Sequence, residues 1–183
     1  MTRIPVITKR EELSAAQQKV YDAIVATRGS VRGPFTILLH NPELCERTAH
    51  VGTYLRYESR ISHQTHAVAA LITGRLMDCQ YEFTANTGVA REAGVSDTVI
   101  AAIRDRRAPE GLSEEEALVF QLGTELLTGK YRISPKTFNR ALDRYGVQTL
   151  LELISTFGYY SYLCCILNAF EMEPKPGYQP LPV

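Results

Sequence analysis

The chain has 183 residues, with 20 Lys and Arg against 20 Asp and Glu, so its formal net charge is zero. This length suits a single domain with a sizeable core, and the absence of a basic patch argues against nucleic-acid binding. No uncharged apolar stretch reaches the roughly 18 residues of a membrane span, so no membrane association is expected. Balanced charge favours self-association, because long-range repulsion between copies is weak.

Cysteine usage predicts a reducing compartment. The four cysteines are Cys45, Cys79, Cys164 and Cys165. A disulfide framework is not expected, because the chain is not small and two of the cysteines are adjacent within an apolar run. They have no CxxC spacing, and the four histidines all lie in the first half of the chain, so no metal site is expected. The N-terminal segment carries early charges and does not resemble a secretory signal. We therefore expect a cytoplasmic protein.

Helix signals begin near the N-terminus. Residues 1–13 are predicted to form an extended arm. Ser14 with Gln17 has the pattern of a capping box that opens the first helix, and Gly29 is a typical stop signal. The pair Gly33–Pro34 breaks any helix, so the segment after Gly29 is predicted to be a loop. Its apolar residues are expected to point inward: Phe35, Leu38 and Leu39.

The middle of the chain predicts two longer helices. Asn41 with Pro42 is typical of a cap and first turn, and this helix is expected to run to about Glu58. Ser62 is predicted to cap a third helix that continues without a break to Gly94. The first half of this third helix carries few charges, which indicates a central and largely buried position.

Three further helices are predicted after Gly94. Their start signals are Ser96, Ser113 with Glu116, and Ser134 with Pro135. Another long apolar helix is expected after Gly146, either through the core or against a second subunit. Residues 172–183 form a Pro-rich, irregular tail. The sequence has no convincing strand, so it predicts an all-α single domain with about seven helices.

The most informative segment for function runs from Asp78 to Asn86. Cys79 and Glu82 are three residues apart and Glu82 and Asn86 are four apart, so all three share one face of a helix. A carboxylate held in an apolar pocket has a raised pKa and can act as an acid or base near neutral pH. The same spacing is also compatible with purely structural roles, in which Cys79 fills the core, Glu82 is solvated and Asn86 is a polar residue near a helix end.

Several motifs resemble the carboxymuconolactone decarboxylase family, which shares its fold with the alkylhydroperoxidase D-like proteins. They are the helix order, Gly33-Pro34-Phe35, His40-Asn41-Pro42-Glu43-Leu44, Leu55-Arg56-Tyr57-Glu58, Cys79-Gln80-Tyr81-Glu82-Phe83 and Ala93-Gly94-Val95-Ser96. The resemblance covers roughly residues 3–175. It implies an alkylhydroperoxidase D-like helical bundle, cofactor-free chemistry on a small-molecule substrate, and homo-oligomers, often trimers or hexamers.

The departures from this family bear on the chemistry. The peroxidase members have CxxC, a His four residues after the second Cys, and a Glu twelve residues before the first. Here the first Cys of that motif is Cys79. Glu82 stands in place of the second Cys, Asn86 in place of the His, and Ala67 in place of the upstream Glu. A dithiol peroxidase needs a second thiol to close a disulfide, so that activity requires the fold to bring another cysteine to Cys79. Decarboxylase-like members commonly have Glu and His at the positions of Glu82 and Asn86, and Asn cannot exchange protons near neutral pH.

The missing partner of Glu82 must therefore come from elsewhere in the chain. His66 is a candidate because it adjoins Ala67. Tyr159 and Tyr160 fit packing roles, although a phenol can donate to an oxyanion. Arg56 and Arg60 are each able to bind a substrate carboxylate or to pair with Glu58. The predicted catalytic residues are Glu82, Cys79 and His66. The predicted substrate-binding residues are Asn86, Tyr81, Phe35, His50 and Arg60.

Three functions follow from these residues. The first is a cofactor-independent, decarboxylase-like enzyme in which Glu82 transfers a proton to or from a small lactone or organic acid. The second is a thiol-based oxidoreductase of the alkylhydroperoxidase type, centred on Cys79. The third is a non-catalytic member that binds a small ligand, which the presence of Ala67 and Asn86 favours.

Overall fold

The computed structural model describes residues 2–107, 111–174 and 177–182. Within these ranges the chain has helices and turns but no strand, which confirms the all-α single domain. A 3-10 turn at Arg10–Glu12 lies within the predicted extended arm, and a π-helical turn at Tyr54–Glu58 extends the third helix. The α-helices are α1 (Ala15–Arg28), α2 (Pro34–Leu38), α3 (Pro42–Thr53), α4 (His63–Leu76), α5 (Gln80–Glu92), α6 (Asp97–Arg104), α7 (Glu114–Leu127) and α8 (Pro135–Ala169).

The predicted helix starts are confirmed by their caps. The Ser14 side chain accepts a hydrogen bond from the Gln17 backbone, and the Gln17 side chain bonds back to the Ser14 backbone. Ser113 and Glu116 form the same reciprocal box at α7. Each such cap satisfies backbone N–H groups that a helix start leaves without partners. Single side-chain caps begin the other predicted helices, at Asn41, Ser62, Ser96 and Ser134.

The segment after Gly29 was predicted to be a loop, which is wrong in part because it contains a short helix. Gly33 has a positive φ of 59° and is followed by α2, with Pro34 in its first turn. Proline is tolerated there because the first N–H groups of a helix have no partner within it. The inward orientation was predicted correctly, since Phe35 and Leu38 are buried.

The continuous helix predicted from Ser62 to Gly94 was also wrong. Asp78 adopts a left-handed conformation with φ of 47°, which separates α4 from α5. The two helices then pack closely, because a Cβ on Gly74 would lie only 2.9 Å from the backbone nitrogen of Phe83. The break makes Cys79 the N-cap residue of α5. Glu82 consequently lies in the first turn of a helix, not in the middle of one.

The core is built around α4, which is buried along most of its length and packs against α5, α7 and α8. Leu153 and Phe157 bring α8 into the same core. Gly146, with φ of 68°, divides α8 where the sequence predicted a boundary.

By length and composition α8 would be able to cross a membrane, but half of its most apolar window is buried inside the protein. Core helices of soluble proteins commonly have this pattern.

The C-terminal segment is irregular, as predicted, but it is fixed against α5. The Leu181 backbone donates to Gln80 Oε1 at 2.8 Å, and Gln80 Nε2 donates back to the Leu181 carbonyl at 3.3 Å. Arg75 Nη2 donates to the Pro182 carbonyl at 3.0 Å. Leu181 is only 3% exposed. This segment thereby supports the end of α5 that carries Glu82.

Candidate active site

A cavity of about 190 Å³ lies where α2, the π-helical turn, α5 and α8 meet. It is smaller than the cavities that hold drug-sized ligands, about 300–1,000 Å³, so it suits a small molecule. Among the described residues that line it, three are arginines and only Glu82 is a carboxylate. This balance favours an anionic ligand. The arginines are Arg28, Arg32 and Arg56, and the tyrosines are Tyr57, Tyr81, Tyr159, Tyr160 and Tyr178.

Glu82 is the central acidic group of the cavity. Its side chain is 5% exposed, and burial raises its pKa, while the hydrogen bond from Asn86 and the charge of Arg56 act in the opposite direction. Asn86 Nδ2 donates to Glu82 Oε1 at 2.7 Å. None of the described residues donates to the other oxygen, Oε2. A carboxyl group in this setting can hold a proton at a pH where an exposed glutamate has lost it.

Asn86 connects Glu82 to a cation. While its amide nitrogen donates to Glu82, its Oδ1 accepts a hydrogen bond from Arg56 Nη2 at 3.3 Å. An amide has both a donor and an acceptor, so it can bridge a carboxylate and a guanidinium, and these partners fix which way the amide points. Asn86 thus has a defined role in the site without exchanging protons itself.

Arg56 also binds Tyr160. Its Nη2 donates to the Tyr160 hydroxyl oxygen at 2.8 Å. Tyr160 is 2% exposed, and burial raises its pKa despite the nearby Arg56. The phenol therefore stays protonated, and none of the described residues accepts its O–H. Arg56 and Tyr160 together offer donors to an oxygen atom in the cavity.

A second arginine, Arg28, lines the same cavity. Arg28 packs over the ring of Phe35, with 4.9 Å between its Cζ and the ring centroid. Its Nη2 donates to the Ala49 carbonyl at 3.3 Å. Its Nε is buried and has no hydrogen-bond partner among the described residues. A buried donor without a partner is uncommon, and a ligand acceptor would satisfy it.

The structure brings four of the predicted site residues to the cavity and leaves four outside its lining. Those that line it are Phe35, Tyr81, Glu82 and Asn86. Cys79 and His66 are buried behind the wall, at 1% and 5% exposure. His50 and Arg60 are exposed on the surface, and Arg60 uses its backbone N–H to donate to Glu152 at 2.9 Å.

Arg56, not Arg60, is the cation beside Glu82, and the sequence does not distinguish them. Arg56 lies in the π-helical turn, which adds a residue per turn and so changes the direction of its side chains relative to α3. No residue pattern in the segment marks that turn. Arg28 was missed altogether, because nothing but its position before Gly29 sets it apart.

His66 is not placed to act as a proton donor. Its ring contacts Tyr160 edge-on, with centroids 5.4 Å apart. Its pKa is lowered to about 3, mainly because the ring is buried and to a smaller extent because of the charge of Arg56. His66 therefore remains a neutral packing partner of Tyr160 at neutral pH.

This shift predicts an acid-dependent loss of stability. A lowered pKa means that the folded state resists protonation of His66. The stability that neutral His66 contributes is fully present above its ordinary pKa of 6.5. It is lost as the pH falls towards about 3, because in that window the unfolded chain binds a proton that the folded protein does not. We expect the free energy of unfolding to fall by up to about 1.4 kcal/mol per pH unit in that window. Urea unfolding of the His66→Asn variant should lack this component, whereas His50→Asn, at an exposed position, should keep it. Equal pH slopes in all three proteins would contradict the assignment.

Comparison with known proteins finds a similar family and a similar fold. Residues 42–125 match the model of the carboxymuconolactone decarboxylase family. The match covers somewhat less than half of the 183-residue chain. It includes Arg56, Glu82 and Asn86, so the family-matched part of the chain carries the polar centre of the cavity. No curated protein matches the chain by sequence.

The fold is that of a solved alkylhydroperoxidase AhpD core, described as an uncharacterized peroxidase-related protein from Ralstonia eutropha JMP134. The TM-score is 0.79, with 96% of this chain and 93% of that chain covered. Sequence identity is 13%, so this likeness shows the fold alone. The segment that matches the family model therefore lies within an AhpD-like fold. In the ranges that the structure describes, no group of three or more His, Cys, Asp or Glu residues is placed to hold a metal ion.

Proposed function

We propose that the chain is a cofactor-independent enzyme that transfers a proton to or from carbon in a small organic acid or lactone, in a decarboxylase-like reaction. The observation that carries this proposal is the buried carboxyl group of Glu82, joined through Asn86 to Arg56 at a cavity rich in arginine. This combination supplies a proton carrier with a raised pKa beside donors for a negatively charged oxygen.

Substrate binding would use the cations of the cavity. A carboxylate of the substrate would accept hydrogen bonds from Arg28, whose Nε has no partner among the described residues. The apolar part would lie against Phe35 and Tyr81, which line the same space. Arginine suits this role because its planar group can donate two parallel bonds to a carboxylate.

The chemical step would use Glu82 as the acid. Loss of CO2 from a carbon next to a carbonyl breaks the carbon–carbon bond and leaves its electron pair as an enolate. Arg56 and Tyr160 would stabilise the enolate oxygen by hydrogen bonds. Glu82 would then give its proton to carbon, and water would restore the proton to the carboxylate. Each turnover thus converts one substrate carboxylate and one proton from solvent into CO2 and a product in which hydrogen replaces the lost carboxylate.

The reaction class can be tested without knowing the natural substrate. A panel of small β-keto acids and lactone carboxylates would be incubated with the protein in D2O. We expect CO2 release with deuterium incorporated at the carbon that lost the carboxylate. Thermal stabilisation by a panel member without turnover would support a non-catalytic binding protein instead. Neither binding nor turnover by any carboxylate would contradict the proposal.

A further inference from the structure

The residues that line the cavity differ in their exposure to solvent, which distinguishes its floor from its rim. Glu82, Asn86 and Tyr160 are each at most 5% exposed and form the floor. Tyr57 and Tyr178 also line the cavity, but they are 51% and 53% exposed, so they lie where it opens to solvent. A ligand whose charged end is held at the floor would therefore extend towards these two tyrosines.

Tyr178 belongs to the C-terminal segment, which is held in place just beyond it. Leu181 packs into the main hydrophobic core and is only 3% exposed. The next carbonyl, that of Pro182, accepts a hydrogen bond at 3.0 Å from Arg75, a side chain that is itself 4% exposed. These buried contacts fix the chain close to Tyr178, although the segment has no regular secondary structure.

The backbone on either side of Tyr178 is also restricted. Gly177 has a φ of 94°, which glycine adopts without steric cost and which turns the chain immediately before Tyr178. Pro180 follows two residues later, and its ring holds φ at about −65°. The position of Tyr178 at the rim is therefore defined by its neighbours in the chain as well as by the anchored end of the segment.

The ring of Tyr178 is available to a ligand. Within the described ranges its hydroxyl has no hydrogen-bond partner, and its ring makes no contact with another aromatic ring. Side chains of this type present a large apolar surface together with a polar tip. Tyr178 therefore adds an aromatic wall to the cavity.

The volume of the cavity limits how much of a ligand can lie inside this wall. It is about 190 Å³, and a cavity of about 150 Å³ in another protein holds benzene. The space thus suits an acid with a single ring or a short chain. A longer acid would need the volume that the ring of Tyr178 occupies.

We propose that Tyr178 is a specificity-determining residue, which restricts the site to short or single-ring acids by closing its outer end. This inference rests on the proposed function, because it takes the charged end of the substrate to lie at the arginines. Removing the ring of Tyr178 would extend the cavity outwards and leave Glu82, Asn86 and Arg56 in place.

The first experiment compares the binding of benzoate and biphenyl-4-carboxylate by isothermal titration calorimetry. We expect the wild-type protein to prefer benzoate. In Tyr178→Ala, binding of biphenyl-4-carboxylate should strengthen by about tenfold or more, because burial of the second ring contributes at least that factor. Binding of benzoate should change little. Tyr178→Phe keeps the ring and should retain the wild-type preference, as should Tyr131→Ala, whose tyrosine is 70% exposed and does not line the cavity.

A second experiment tests the size limit without any carboxylate. Thr84 lines the cavity and is 5% exposed, so Thr84→Cys places a thiol inside it. The exposed Cys165 is replaced by Ala to remove its background reaction. Labelling at position 84 by N-methylmaleimide and by the larger N-(1-pyrenyl)maleimide is then followed by mass spectrometry. Adding Tyr178→Ala should raise the rate with the larger reagent relative to the smaller one, whereas adding Tyr131→Ala should not.

A ratio of labelling rates that Tyr178→Ala leaves unchanged would overturn the proposal. So would an unchanged preference between the two acids when both proteins bind benzoate. If neither acid binds and the labelling ratio still rises, the size limit stands and the proposed function fails. Circular dichroism would verify that each variant is folded, and the calorimetry decides the matter if Thr84→Cys does not fold.

Discussion

Replacement of Glu82 by Gln is expected to lower kcat by about 100- to 10,000-fold, the usual contribution of a general acid or base. The amide keeps the shape of the side chain and can still accept the hydrogen bond from Asn86 through its oxygen. It cannot supply a proton to carbon. CO2 release and deuterium incorporation would be measured with the best substrate from the panel, alongside circular dichroism to verify the fold.

Glu152 offers a matched control for this variant. It is also buried, at 5% exposure, but it accepts its hydrogen bonds from Tyr54 at 2.6 Å and from the Arg60 backbone at 2.9 Å, outside the cavity. Glu152→Gln should therefore change stability and leave kcat within a few-fold. If Glu82→Gln kept full activity, Glu82 would not be the proton carrier.

The pH dependence of stability gives Glu82 a second signature. Burial raises its pKa, so the folded state holds the proton more tightly than the unfolded chain. The resulting stabilisation is complete below the ordinary value of 4.5 and is lost as the pH rises through the higher folded-state pKa. Because glutamine does not titrate, the Glu82→Gln variant should lack this loss. Activity of the wild-type protein should fall in the same direction, because the acid form of Glu82 is the active one.

Replacement of Arg56 by Lys is expected to lower kcat/KM by about 10- to 100-fold. Hydrogen bonds to charged groups contribute about 1.5–3 kcal/mol, which corresponds to that range of rates. The ammonium group keeps the charge but does not reproduce the position of Nη2, the guanidinium nitrogen that donates to both Asn86 and Tyr160. Steady-state kinetics with the same substrate would measure the loss.

Removing the charge of Arg56 altogether separates its electrostatic role from its hydrogen bonds. Arg56 lowers the pKa of Glu82, so Arg56→Met should move the alkaline fall in activity to higher pH, while Arg56→Lys should leave it in place. Arg60→Met is the matched control, because Arg60 is exposed and lies only four residues away. Equal kinetic losses at positions 56 and 60 would argue for a general charge effect and against the assignment to Arg56.

Much of the fold could be predicted because its signals are local. Caps such as Ser14 and Ser113 fix helix starts through contacts within a few residues, so the pattern alone reveals them. The break at Asp78 could not be predicted in this way. A left-handed residue is usually glycine, whereas Asp adopts the conformation only when its surroundings favour it; here its carboxylate forms ion pairs with Arg75 and Arg106.

The candidate site was predictable where it depends on one helix and not where it depends on several. Glu82 and Asn86 share a turn of α5, so their spacing was sufficient. The face of α3 was harder to predict, because apolar Leu44 and Val51 are exposed while Ala49 is buried; His50 therefore points away from the cavity. Contact between Cys79 and Cys164 in one buried cluster joins distant parts of the chain, which no short motif encodes. The homo-oligomeric state and the cytoplasmic location stay predictions.

The π-helical turn at Tyr54–Glu58 has a consequence for how such a site can evolve. One residue corresponds to a rotation of about 100° around a helix. Deleting a single residue from the turn would restore α-helical spacing and swing the side chains that follow it to another face. A relative could therefore gain or lose the cation beside Glu82 through an insertion or deletion, while an alignment still showed arginine in the segment. We therefore expect the length of this turn, as well as the identity of its residues, to decide whether a member of the fold has a cation at this position.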